Sequence, residues 1–213
     1  MNYKESEDIE PLPTSQFLSM ECKLVGEEAI DLDTFLSTFS LNEEKEKIDL
    51  KDVIKFCSIR SVNRLTGFVP DHPKTQIEIT STRFPKDLIN SVNYILQSGQ
   101  LVDNELRFYI WSLGIVASLS EDYTNCLIEN EVFQLFFTIL DIGDVYLRMT
   151  KRHIFIAMQR MLCSPDIIQR INEEFDFFAS LDSSIHLFWE TNDFNVPLKI
   201  LVNICRFNID IPS

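Results

Sequence analysis

Seven cations fall in three stretches of this sequence that read as long helices: Arg107; Arg148, Lys151, Arg152 and Arg160; Lys199 and Arg206. Steps of three and four residues bring most of them onto shared helix faces. Arg107, Trp111 and Ile115 line up in the first stretch. Arg148, Lys151 or Arg152, Phe155 and Gln159 do so in the second, and Lys199, Asn203 and Arg206 in the third. Guanidinium and ammonium groups hold carboxylates or phosphates through charge-assisted hydrogen bonds, while amides hold a peptide backbone. The chemistry these residues suit is recognition of an extended segment, acidic or phosphorylated. The same cations serve equally well as helix-end or inter-repeat ion pairs, worth about 0–1 kcal/mol each at a surface.

Bond-making chemistry is not signalled. The glycines at 26, 67, 99, 114 and 143 cannot form a GxGxxG or phosphate loop. His72, His153 and His186 stand alone, with no HExxH and no cysteine at ligand spacing. Carboxylate clusters such as Glu173-Glu174-Asp176 read as a solvated helix face. The expectation is therefore no enzyme, no catalytic residue, no metal, no cofactor and no small-molecule ligand. A formal charge of −14 argues against nucleic acid and anionic membrane as general partners.

Charge is segregated, however. In 84–213 the long stretches hold the seven cations against Asp103, Glu105 and Asp144; the remainder holds Lys86 and Arg170 against fourteen carboxylates. A strongly acidic chain can thus present one locally basic strip.

What must position that strip is a set of helices. Hydrophobic residues make up 45% of the 213, enough for a sizeable core, and glycine is sparse. From Phe84 onward the chain repeats itself. At a shift of 44, Leu88, Ile89, Val92, Ile95 and Leu96 fall on Val132, Phe133, Phe136, Ile139 and Leu140, and Gly99 falls on Gly143. The apolar spacing marks a buried helical stripe, and the glycine marks a left-handed helix end. A looser third copy places Phe175, Phe178 and Leu181 at a spacing of 42 from Phe133, Phe136 and Ile139.

Long helices are expected at Asp103–Leu119, Asp144–Cys163 and Phe194–Phe207. Ser120 and Ser164, again 44 apart, open short helices as N-caps, the second with Pro165 behind it. Each unit is then a short, a medium and a long helix whose apolar stripes are buried only by stacking. The fold expected is all-α, an α-solenoid.

Ser164-Pro165-Asp166-Ile167-Ile168-Gln169-Arg170-Ile171-Asn172-Glu173-Glu174-Phe175 and Leu106-Arg107-Phe108-Tyr109-Ile110-Trp111-Ser112-Leu113 resemble the armadillo-repeat consensus. That family includes β-catenin and importin-α, with HEAT-like repeats as its neighbour. The resemblance covers about 84–207 and implies a right-handed solenoid of about three repeats, whose long helices line a concave groove that binds protein segments. The importin-α pattern of Trp and, four residues on, Asn is kept in no repeat: Trp111 is followed by Ile115, Phe155 by Gln159, and Lys199 by Asn203. The consensus glycine between the first two helices is also missing, with Asn130 and Glu173 near that place.

The organisation expected is an acidic leader at 1–20, a helical segment with a long loop at 21–83 (with a degenerate repeat at 49–68 as an alternative reading), and repeats at 84–119, 120–163 and 164–207 within 84–213. The segment 69–83 reads as loop or short extended chain. Five dispersed cysteines read as thiols of a reducing compartment, cytosol or nucleus. The function expected is a protein-interaction scaffold. The alternatives are an obligate structural subunit of a larger assembly and an importin-α-like adaptor, which would need an acidic groove and a basic leader.

Overall fold

The computed structural model describes residues 32–39, 44–65, 77–99, 101–142, 147–162, 164–175, 177–184, 186–189 and 194–206, and the expected leader, Gly143 and Cys163 lie outside them. Every regular element among these residues is helical. The helices are α1 (Leu32–Ser37), α2 (Leu50–Leu65), α3 (Phe84–Ser98), α4 (Asp103–Ala117), α5 (Glu121–Glu129) and α6 (Val132–Leu140). They continue with α7 (Arg148–Met161), α8 (Pro165–Glu174), α9 (Phe177–Ser184), α10 (His186–Trp189) and α11 (Asn195–Arg206). None of the described helices is long and apolar enough to cross a membrane.

Local chemistry explains the boundaries. Ser120 Oγ accepts from Tyr123 N at 3.2 Å and Ser164 Oγ from Ile167 N at 3.4 Å, so both serines cap the helices they precede. Pro165 then opens α8, and Pro85 lies in the first turn of α3, where an amide hydrogen has no helical partner. Gly99 closes α3 at φ 68°, its N–H donating to Leu96 O.

Two expectations gain detail. Within the stretch expected as loop or short extended chain, Ile79–Ser81 forms a 3-10 turn against α5, and Tyr123 donates to the Ile77 carbonyl beside it. The third apolar stripe starts later than the repeat suggests. Phe175 ends α8 in an extended conformation, its ring stacked 4.4 Å from Phe137, and Phe177 and Leu181 carry the buried face of α9. The short α10 then inserts Phe188 edge-on to Phe155, an element the periodicity does not announce.

The long helices pack in chain order. α2 lies against α4, α4 most extensively against α7, and α7 against α11. Behind them α3 supports α4, α6 and α10 support α7, and α5 joins α3, α4 and α6. Phe35, Phe39, Phe56 and Phe84 form an aromatic knot binding α1, α2 and α3 at centroid separations of 4.7–5.6 Å. Ahead of α2, Tyr109 Oη donates to Ile48 O at 2.7 Å, Ile48 N donates to Ser91 Oγ at 2.8 Å, and Lys47 pairs with Glu105 at 2.7 Å.

α4 and α7 approach closely at Gly114. A Cβ there would lie 3.1 Å from both Cα and Cβ of Ala157, so the hydrogen of glycine is what lets the helices touch.

Candidate functional site

α4 and α7 each have one side in the core, two flanks facing neighbouring long helices and one open face, and α11 packs against α7. On α7 the core side is Ile154, Met158 and Met161. Successive residues turn about 100° in a helix, so Arg148, Arg152, Ile156 and Gln159 fall opposite. All four are at least partly exposed. On α4 the equivalent open residues are Asn104, Phe108 and Trp111; on α11 they are Asn195, Lys199, Val202 and Arg206.

The face is thus one residue away from the expected one in two helices. Arg107 turns into the α4–α7 seam, where it is buried with its Cζ 5.1 Å from the Phe108 ring. Burial pulls its guanidinium below its usual range, with Asp103 opposing the shift. Lys151 is 2% exposed, and its Nζ donates to Leu140 O at 2.8 Å. This cation closes the C-terminus of α6, where carbonyls lack helical donors and the dipole favours positive charge. Phe155 and Ile115 are core residues. Asn203 is half-buried and donates through Nδ2 to Leu162 O at 3.3 Å, tying α11 to the end of α7. Of the eleven expected residues, Trp111, Arg148, Arg152, Gln159, Lys199 and Arg206 reach the open face, whereas Arg107, Ile115, Lys151, Phe155 and Asn203 do not.

Phe108, His153 and Ile156 were not anticipated. Phe108 stacks on Trp111 with centroids 6.2 Å apart, and Trp111 lies 6.0 Å from His153. His153 Nδ1 donates to the Met149 carbonyl at 2.7 Å. Burial pushes this imidazole down to about 4, assisted by the nearby Arg107 and Arg152, so it is neutral at physiological pH. The sequence signal for this face was available: Ile154, Met158 and Met161 fix the buried axis, and the open residues lie half a turn from it.

Asp103 sets the register of the two central helices. It is the first residue of α4, yet its carboxylate accepts from Thr150 N at 2.8 Å, Met149 N at 3.1 Å and Thr150 Oγ1 at 2.6 Å. α7 has no side-chain cap from its own N-cap residue, so Asp103 supplies one from the neighbouring helix.

Electrostatically, α7 and α11 carry Arg148, Lys151, Arg152, Arg160, Lys199 and Arg206 and no carboxylate. Lys151 is spent inside. The others, with the Phe108–Trp111 pair and the Gln159 amide, can hold acidic groups and a backbone without any bond being made. Among the described residues no group of three His, Cys, Asp or Glu side chains could hold a metal ion. Cys57, Cys126 and Cys205 are thiols rather than disulfides, and burial pushes the Cys126 thiol up, away from reactivity.

No family model, curated protein or solved structure matches this chain.

Proposed function

We propose that the chain is a right-handed armadillo-like α-solenoid of about three repeats, a scaffold that holds an extended acidic or phosphorylated protein segment across α4, α7 and α11. The helical order supports the repeat reading: α5, α6 and α7 follow one serine cap, and α8, α9 and α11 follow the next. Glu131, between α5 and α6, adopts φ 62°, the left-handed conformation suited to glycine, near the place where the armadillo consensus carries one. Packing of the long helices in chain order fits stacked modules. We place this work in a reducing compartment, cytosol or nucleus.

One observation carries the binding reading: in a protein of charge −14, α7 and α11 bear five cations besides the buried Lys151 and no carboxylate, beside an aromatic pair. The test uses a fluorescein-labelled decapeptide of alternating Glu and Leu, with a Lys–Leu counterpart as control. The Glu peptide binds and weakens with salt. R148E/R152E/K199E loses at least tenfold in affinity with unchanged helicity. Equal affinity of wild type and triple variant, or preference for the Lys peptide, removes the reading. Lys151 is excluded from the variant because its substitution would damage the core.

A structural-subunit role is the second reading, favoured by Leu198 and Val202, which are 57% and 55% exposed on α11. An importin-α-like adaptor is disfavoured because the open face is cationic.

A further inference from the structure

Cations also occur ahead of the three long stretches. Lys51 and Lys55 lie one turn apart in α2, and both are exposed. Their place relative to the open face follows from the way the long helices turn. On α4, Ser112 faces α2, with its Oγ 3.2 Å from Cys57 Sγ. Trp111, one residue back, is open, and Arg107 and Gly114, further round in the same sense, face α7. On α7, Ala157 faces α4 and Ile156, again one residue back, is open. Reading the step from the other flank, Arg107 faces the next helix and Phe108, one residue on, is open.

On α2 the residue that faces the next helix is Cys57. The open direction is therefore that of Ser58, a small side chain bonded back to the Ile54 carbonyl. Lys51 lies seven residues earlier, within about 20° of it, and Lys55 about 60° to the side away from α4. Val53 and Phe56 fill the core on the opposite side. Nearby carboxylates are already engaged: Asp49 accepts from the Lys51 amide at 2.8 Å, and Glu105 pairs with Lys47 at 2.7 Å.

The open faces in packing order thus carry two lysines on α2, the stacked Phe108–Trp111 pair on α4, and Arg148 and Arg152 on α7. Packed helices lie about 8–10 Å apart, and extended chain advances about 3.3 Å per residue. Successive faces are then about three residues apart along a segment that crosses them. An unbroken acidic run would press carboxylates against aromatic faces, whose quadrupole is negative.

We infer that the groove begins at α2 and reads a two-part acidic segment: one acidic cluster on Lys51 and Lys55, an apolar side chain on Phe108 and Trp111, and a second acidic cluster, about six residues from the first, on Arg148 and Arg152. Charge complementarity selects this occupant, since cations flank an uncharged aromatic stretch on both sides. The inference rests on the groove proposed above and extends it by one helix.

The test is fluorescence anisotropy on the full chain with fluorescein-labelled Glu-Glu-Ser-Phe-Gly-Ser-Glu-Glu and its isomer Phe-Glu-Glu-Ser-Gly-Ser-Glu-Glu. The first peptide should bind at least threefold more tightly than the second. K51E/K55E, with both substitutions on exposed positions and helicity checked by circular dichroism, should bind it at least fivefold more weakly, and K51Q/K55Q should fall between. R148E/R152E/K199E should weaken it as well. Affinity within twofold of wild type for K51E/K55E, with a loss in the triple variant, overturns this inference and leaves the groove of α4, α7 and α11 standing. A loss in K51E/K55E alone, or equal binding of the two isomers, also overturns it. No binding, or no loss in either variant, removes the groove together with the inference.

Discussion

Replacing Asp103 by Ala tests whether the two central helices are held in register by a cap donated across their seam. The carboxylate serves Thr150 N, Met149 N and Thr150 Oγ1, and Thr150 is fully buried. The hydroxyl keeps a second acceptor in the Asp103 carbonyl at 3.2 Å, so the loss centres on the two N–H groups and the charge. Removing an N-cap side chain costs about 1 kcal/mol. Stranding a buried donor costs about 1–3 kcal/mol, and losing the charge beside a helix N-terminus costs about 0.3–1 kcal/mol. These overlap, so D103A should lose about 2–4 kcal/mol in all. D103N keeps an acceptor and should lose about 1 kcal/mol. Urea unfolding followed by circular dichroism at 222 nm gives both values, and hydrogen exchange should rise first in the opening turn of α7. A D103A protein within about 0.5 kcal/mol of wild type would show that the contact is incidental.

Other perturbations follow from the same geometry. E131G relieves a left-handed backbone and should raise stability by about 1 kcal/mol in the same urea assay; destabilisation refutes the strain argument. G114A drives a methyl to 3.1 Å from Ala157 Cα and should cost about 1–3 kcal/mol, with only partial rescue by A157G because the backbone contact persists. His153 is held near 4 when folded against about 6.5 unfolded, so its contribution is complete above about pH 6.5 and is lost as pH falls toward 4. Between pH 7 and 4.5 the wild type should therefore lose about 2 kcal/mol more than H153Q; parallel curves would contradict this.

The caps and stripes were legible in the sequence because they are local. Ser120 and Ser164 cap their helices, Gly99 ends α3 in the left-handed region, and Val132 to Leu140 forms one apolar helix. These features depend on residues within one or two turns. The open face depends on where a helix sits against its neighbours, and steps of three and four residues leave two adjacent choices. Arg107 against Phe108, Lys151 against Arg152 and Phe155 against Ile156 are such pairs, and a cation in the first member of two of them drew the assignment inward. Lys151 carries no sequence mark of its task, because the carbonyl it meets is eleven residues earlier, at the end of another helix. Asp103 reads as an ordinary acidic helix start; only the juxtaposition of α4 and α7 turns it into a cap for the second.

Each long helix rests chiefly on those before and after it in the chain. Injury at one end is thus not broadcast at full strength to the other. Loosening α11 removes support from α7 while leaving the Phe35–Phe84 knot whole, and fraying can begin at either margin. During synthesis α4 can meet α2 and α3 as it emerges, but its most extensive contact forms only once α7 has followed.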